Sequence, residues 1–164
     1  MEFARQVPAC IHREHRESLA LLERLEAALA KGKAAPARGD AAWSRLFREF
    51  DANLANEIGR HFGFEEGELL PLLAANGDGD IAALLAEEHA AILALAGRIV
   101  PGLRAFAAQG AADDWPALRE MALELIERQV AHIQKEEMSL LPVLEDVLDA
   151  ERDATLLDRY LATA

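Results

Sequence analysis

The chain has 164 residues, a length that fits one domain, 1–164, with a sizeable buried core. Although 52% of the residues are hydrophobic, only 5% are aromatic, and the abundant Ala, Leu, Glu and Arg favour helix throughout. The formal net charge of −12 argues against nucleic acid and anionic membranes as partners, because an acidic surface repels phosphate groups.

The cysteine content and the N-terminal sequence bear on location. Cys10 is the single cysteine, which excludes an internal disulfide and suits a reducing cytoplasm. The N-terminal residues contain no apolar stretch of signal-peptide length, and we expect no stretch long enough to span a bilayer. The sequence therefore predicts a cytoplasmic protein.

The first two predicted helices carry core stripes at intervals of three and four residues. The first helix follows Pro8, and KGKAAPARG at 31–39 ends it. Asp40 is expected to cap the second helix. The predicted core positions of the two helices are Ile11, His15, Ser18, Leu22, Leu25 and Leu29, and then Phe47, Phe50, Leu54, Ile58, His61, Glu65 and Leu69.

Two further long helices and a short one follow. ANGDGD at 75–80 predicts a turn, with Asp78 or Asp80 as a cap, and Pro101 should kink the third helix before QGAADD at 109–114. ERDATLLDRYLATA at 151–164 predicts a short fifth helix. The core positions of the third and fourth helices are Ile81, Leu85, His89, Ile92, Ala96, Ile99, Leu103 and Phe106, and then Leu118, Met121, Leu125, Gln129, His132, Glu136, Leu140, Val143 and Val147.

Because short connections join long helices, the sequence predicts an all-α fold, an antiparallel up-down four-helix bundle with a short C-terminal fifth helix. The second and fourth helices share one phrase. HFGFEEGELLPLL at 61–73 and HIQKEEMSLLPVL at 132–144 both read H-x-x-x-E-E-x-x-L-L-P-x-L. The first and third helices share Glu-His, as Glu14-His15 and Glu88-His89. Two such helix pairs can pack about an approximate two-fold axis, which would gather these groups at one level of the core.

Six of these polar residues lie on core stripes and are candidate metal ligands: His15, His61, Glu65, His89, His132 and Glu136. A spacing of four places each Glu one turn after a His on the same helix face. Buried carboxylates are very unfavourable unless they are paired or bind metal, and these stripes carry no Lys or Arg near them. Nitrogen and oxygen ligands without cysteine favour iron, manganese or zinc.

Simpler interpretations apply to each residue taken alone. A single His on an apolar stripe is more often a hydrogen-bonded core residue than a ligand. Here, however, four of the five histidines fall on four different stripes. Glu66 and Glu137 lie about 100° around their helices from the candidate ligands, so they either support the ligands or are solvated. Pro71 and Pro142 are expected to end or kink their helices beyond the site.

The constellation resembles the hemerythrin-like, or HHE cation-binding, domain family over about residues 11–148. The resemblance rests on the Glu-His pairs of the first and third helices and on the H-x-x-x-E-E phrases of the second and fourth. A ferritin-like di-iron bundle is the nearest alternative, but it uses Glu-x-x-His, whereas the order here is His-x-x-x-Glu.

The resemblance implies a non-haem di-iron centre, with zinc or manganese as mismetallation products. His15 and His61 would bind one iron, and His89 and His132 the other. Glu65 and Glu136 would bridge the two ions, with an oxo, hydroxo or water ligand between them.

One position departs from the oxygen-carrying members of that family, which have a second histidine four residues after the one in the third helix. Leu93 stands there, so we expect a shell one ligand short and a reduced centre that reacts with O₂ without carrying it reversibly. His12 lies off the main stripe and could still reach the site. Glu57 and Gln129 are candidates for contacts with a ligand or a bound gas.

The expected partner is O₂, NO or peroxide, bound for sensing or a stress response. Two alternatives remain open. The chain could be an enzyme of oxidative or nitrosative stress, which reduces peroxide or NO or donates iron for repair. It could also be an interaction module that metal merely holds together. Turnover of peroxide or NO in the presence of a reductant would support the enzyme. A stable metal-free fold without redox chemistry would support the interaction module.

Overall fold

The computed structural model describes residues 3–109 and 114–162, and their side chains except those of residues 57 and 58. Every regular element in these ranges is helical, which confirms the expected all-α class. The eight α-helices are α1 Gln6–Ala30, α2 Ala41–Asn56, α3 Phe62–Phe64, α4 Leu70–Leu73, α5 Gly79–Gln109, α6 Trp115–Met138, α7 Leu140–Val147 and α8 Ala150–Ala162. Three π-helical turns lie between them: π1 Glu57–His61, π2 Glu65–Leu69 and π3 Ala74–Asp78.

Helix α1 is capped by side chains from the C-terminal part of the chain. Asp153 of α8 accepts the backbone N–H groups of Gln6 and Val7 at 2.7 and 2.8 Å. Glu145 of α7 accepts the N–H of Ala4 at 2.9 Å. The first N–H groups of a helix lack intrahelical partners, so these carboxylates satisfy them and fix α8 against α1. Helix α8 spans most of the C-terminal segment that the sequence predicts to be helical.

The cap predicted for α2, Asp40, is present, and α6 has a cap, Asp114, that was not predicted. Asp40 accepts the N–H groups of Ala42 and Trp43 at 2.9 and 3.1 Å, as expected for the start of α2. Asp114 caps α6 through the N–H of Ala117 at 3.2 Å. The remainder of the connection predicted at 109–114, residues 110–113, lies outside the described residues.

The second predicted helix is not uniformly α-helical, because α- and π-helical turns alternate from Glu57 to Asp78. Three glycines four residues apart weaken the α-helix here, since each lowers helical stability by about 1 kcal/mol relative to alanine. Pro71 also lacks the N–H that would continue the hydrogen-bond ladder. The turn predicted at 75–80 occurs at Gly77, whose φ of 108° is readily adopted only by glycine.

The fourth predicted helix is divided into α6 and α7 at Ser139, where φ is −121° and ψ is −59°. Pro142 cannot donate a hydrogen bond back to the last turn of α6, which explains a break three residues earlier. The break lies beyond Glu136, as predicted. Val147 was expected in the core, but it is 40% exposed because it ends α7 at the surface.

Two apolar clusters flank the polar level of the molecule. One cluster joins the C-terminal half of α1 to α2, α5 and α6, and it includes Leu22, Phe50 and Phe106. The other joins the start of α1 to α4, α7 and α8, and it includes Ile11 and Tyr160. The candidate ligands come from chain positions between the two clusters, so an apolar layer lies on each side of them.

The helical run Ala41–Gln109 contains an 18-residue window that is long and apolar enough to cross a membrane by length and composition. The expectation that no such stretch exists does not hold by this criterion. The buried core helix of a soluble protein passes the same test, so this single window is weak evidence for a membrane span.

Candidate metal centre

All six candidate ligands meet in the interior between the two apolar clusters. Each is at most 2% exposed. They are His15 on α1, His61 on π1, Glu65 on π2, His89 on α5, and His132 and Glu136 on α6.

The two carboxylates lie between the two pairs of histidines. Glu65 places one oxygen 3.0 Å from His61 Nε2 and the other 3.3 Å from His89 Nε2. Glu136 places one oxygen 3.1 Å from His15 Nε2 and the other 3.2 Å from His132 Nε2. Each carboxylate therefore faces both histidine pairs, which is the arrangement of a bridging ligand.

Two overlapping sets of four donors result, each with its ligand atoms within 4.8 Å of one another. We call the set around His15 and His61 half-site 1 and the set around His89 and His132 half-site 2; Glu65 and Glu136 belong to both. Two adjacent metal ions would share the carboxylates in this geometry.

Several inward-facing atoms have no hydrogen-bond partner among the described residues. They are His15 Nε2 and both carboxylate oxygens of Glu65 and of Glu136. The short distances to these atoms are thus ionic contacts without the alignment of hydrogen bonds. A buried polar atom without a partner destabilises a fold by about 1–3 kcal/mol, and bound cations would remove that penalty. The donor set fits metal ions better than a hydrogen-bonded core.

Charges inside the metal-free centre balance through its histidines. Burial lowers the pKa of His15, but the carboxylates of Glu136 and Glu137 outweigh it and raise this pKa to about 9. Burial acts on His89 in the same direction, and Glu136 and Glu65 raise its pKa to about 10. Burial raises the pKa of Glu136, yet the surrounding imidazoles hold it well below its usual range. Metal binding must therefore displace protons from the histidines.

The outer nitrogen of each histidine meets a carboxylate from another helical segment. The four Nδ1 contacts are His15 with Glu137 at 2.8 Å, His61 with Glu14 at 3.3 Å, His89 with Glu66 at 2.9 Å, and His132 with Glu88 at 3.1 Å. When each Nδ1–H donates outward, each Nε2 keeps its lone pair for the centre. The second glutamates of the repeated phrase, and the glutamates of the Glu-His pairs, thus orient the ligands.

Basic side chains contact three of these outer carboxylates. Arg60 donates to Glu14 at 2.8 Å, and Lys135 donates to Glu88. His12 Nδ1 lies 2.8 Å from Glu137, so His12 supports an outer carboxylate and does not join the six residues.

Three residues near the centre were not anticipated from the sequence. The ring of Phe62 stacks on His89 at a centroid distance of 3.9 Å. The hydroxyl of Tyr160 on α8 lies 3.1 Å from His61 Nδ1. No sequence spacing marks Arg60 or Tyr160, because their contacts depend on how separate helical segments pack. Phe62 directly follows His61, but it stacks on His89 of α5. Its contact therefore depends on how two helices pack and has no signal in the local sequence.

Three further positions were singled out from the sequence: Gln129, Glu57 and Leu93. Gln129 is buried, and its Oε1 has no hydrogen-bond partner in the described ranges. The side chain of Glu57 lies outside the described residues. Leu93 is 37% exposed and lines a surface groove with Leu54 and Gly97. Leu93 therefore lies at this groove and is not one of the buried residues of the centre.

Comparison with protein families gives a match over most of the chain. The family model described as the hemerythrin HHE cation-binding domain matches residues 8–144, which include all six candidate ligands and end before α8. Searches of curated proteins and of solved structures gave no significant match. A match over most of the chain shows the family: the chain belongs to the hemerythrin HHE cation-binding domain family.

Proposed function

We propose that this protein holds a non-haem di-iron centre that binds or reacts with O₂, NO or peroxide, in sensing or in a stress response. The observation that supports this proposal is the convergence of four histidine Nε2 atoms and two buried carboxylates, whose oxygens have no hydrogen-bond partner among the described residues. His15 and His61 would hold one ion, His89 and His132 the other, and Glu65 and Glu136 would bridge them.

The donor set favours iron over softer metals. Imidazole and carboxylate without thiolate suit iron, manganese and zinc. Iron would supply the redox chemistry and the affinity for small ligands at this site. The residues of the chain hold the ions, orient the imidazoles through the outer carboxylates, and exclude bulk water with the two apolar clusters. Zinc or manganese would be mismetallation products.

The architecture proposed around this centre is an antiparallel up-down four-helix bundle closed by α8. This proposal is supported by the contacts of α1 with α6, of α2 with α5 and of α5 with α6. We also propose a cytoplasmic setting from the single free Cys10, and small molecules as partners in preference to nucleic acid or membrane.

The test of the centre is metal analysis and an absorption spectrum of protein reconstituted anaerobically with Fe(II). We expect about two iron ions per chain, as the two half-sites predict. The matched variant Glu136→Gln keeps the side-chain shape and removes the charge that both half-sites share. It should retain much less iron at unchanged helicity by circular dichroism. One ion or none in the unsubstituted protein would contradict the proposal.

The ligand class is tested separately on the iron-loaded protein. A spectral change with NO or O₂ that reverses on degassing would support binding and sensing. Sustained consumption of peroxide or NO with a reductant would instead support the enzyme of oxidative or nitrosative stress. Loaded protein that responds to none of these ligands would leave only a structural role for the metal.

A further inference from the structure

We infer that Tyr160 is a positioning residue for half-site 1, and that its hydroxyl makes the two half-sites inequivalent. The inference rests on the proposed metal centre. Tyr160 belongs to α8, which lies beyond residues 8–144 that the family model matches.

The hydroxyl of Tyr160 joins two groups of half-site 1. It donates a hydrogen bond to Glu14, and its oxygen lies 3.1 Å from His61 Nδ1, within reach of the outward N–H. The side chain is 1% exposed, so water does not compete for these contacts. Tyr160, Glu14 and His61 therefore contact one another in one polar group.

The ring of Tyr160 also contacts neighbouring side chains. The Arg60 guanidinium lies 4.3 Å from the ring centroid, a cation–π distance, and it also donates to Glu14 at 2.8 Å. The ring of Phe64 packs at a centroid distance of 4.7 Å. Removing only the hydroxyl would thus leave the packing of α8 largely in place.

Half-site 2 has a cation but no counterpart of this hydroxyl. Glu88 orients His132 and is held by Lys135, as Glu14 orients His61 and is held by Arg60. Tyr160 is the single tyrosine of the chain, so half-site 2 has no tyrosine hydroxyl. Among the contacts of the described residues, His61 has the hydroxyl that α8 supplies in addition to a glutamate, and His132 has a glutamate.

The consequence is a stronger constraint on the ring and tautomer of His61 than on those of His132. Partners of metal-ligating histidines typically change metal affinity by about 10–100-fold when they are removed. We therefore expect Tyr160→Phe to weaken metal binding at half-site 1, by about tenfold, and to leave half-site 2 unchanged.

The experiment measures Co(II) binding by its visible absorption in two backgrounds. His132→Ala leaves the histidines of half-site 1, and His61→Ala leaves those of half-site 2. Tyr160→Phe should weaken Co(II) binding about tenfold in the first background and have no effect in the second. Equal weakening in both backgrounds would show a general effect of α8 and overturn the inference, as would no weakening in either.

A second measurement uses the unsubstituted protein, because one tyrosine gives one resonance in a ¹³Cζ-tyrosine-labelled sample. Zn(II) should shift this resonance in the unsubstituted chain but not in His61→Ala. A chain that binds two Zn(II) ions without a shift would overturn the inference alone. A chain that binds no metal at all would contradict the proposed function as well.

Discussion

Each residue of the repeated phrase has a distinct position relative to the centre. In H-x-x-x-E-E the histidine and the first glutamate face inward, and the second glutamate contacts a histidine of another helix. Glu137 accepts from His15, and Glu66 accepts from His89. The phrase occurs twice, and each copy supplies one inward-facing histidine and one inward-facing glutamate.

The two glutamates of one phrase should therefore differ in their effect on metal binding. Glu136→Gln removes a charge shared by both half-sites, so we expect loss of most bound metal. Glu137→Gln removes the negative charge of the outer acceptor of His15, so we expect about 10–100-fold weaker binding with the metal still able to load. Affinity for Co(II) measures both effects.

The exposed Glu127 supplies the matched control for these two substitutions. Glu127→Gln makes the same change of charge at a surface position, so its affinity should equal that of the unsubstituted chain. Equal losses in Glu136→Gln and Glu137→Gln would contradict the distinction between bridging and orienting carboxylates.

The six inward-facing residues could be predicted from spacing, whereas the outer contacts could not be assigned. A histidine and a glutamate four residues apart must share a helix face, and this local rule holds in α6. The contact of Glu14 with His61 joins different helical segments and depends on their packing. Tyr160 had no local signal for the same reason.

At the scale of elements, the apolar stripes predicted which segments are helical but not the form of every turn. An apolar residue every three or four positions is compatible with an α-helix that contains occasional π-helical turns. The stripe through His61, Glu65 and Leu69 is buried although π1 and π2 interrupt the α-helix. The breaks at Gly77 and near Pro142 could be anticipated because backbone chemistry fixes them.

Helix α5 offers a test of helix propensity against packing. A Cβ at exposed Gly97 would meet nothing within 4 Å, so Gly97→Ala should stabilise the protein by about 0.5–1 kcal/mol. A Cβ at Gly102 would lie 2.9 Å from a methyl group of Leu118, a buried residue of α6. Gly102→Ala should therefore gain less or lose stability. Urea denaturation of both variants measures the difference, and equal gains would contradict the packing argument.

The capping of α1 by Asp153 makes a second prediction at this scale. Asp153→Ala should destabilise the protein by about 1–2 kcal/mol, because the backbone N–H groups of Gln6 and Val7 lose their acceptor and the N–H of Val7 is buried. Asp158→Ala is the control, since Asp158 lies on the same helix and is exposed. The midpoint of urea unfolding compares them. Equal, small effects would show that α8 does not support the start of α1.

The molecule as a whole places a charged layer between two apolar clusters. The inward-facing oxygens of Glu65 and Glu136 lack hydrogen bonds among the described side chains. They therefore lower the free energy of unfolding when no metal is bound. Their attraction to the histidines compensates for part of this penalty. Metal ions would complete the compensation, so folding and metal binding should be coupled.

Removal of metal should therefore lower the thermal stability of the whole molecule. A ligand that binds only the folded state at 100 times its Kd adds about 2.7 kcal/mol, which corresponds to about 5–10 °C in Tm for a chain of this size. We expect metal-loaded protein to unfold at a higher temperature than protein treated with a chelator, by calorimetry at fixed pH. The variant Glu136→Gln, which lacks a carboxylate shared by both half-sites, should show little dependence of Tm on metal. Exposed Glu127→Gln should keep the full shift. The same Tm for loaded and chelated protein would show that the metal, if bound, is not coupled to folding.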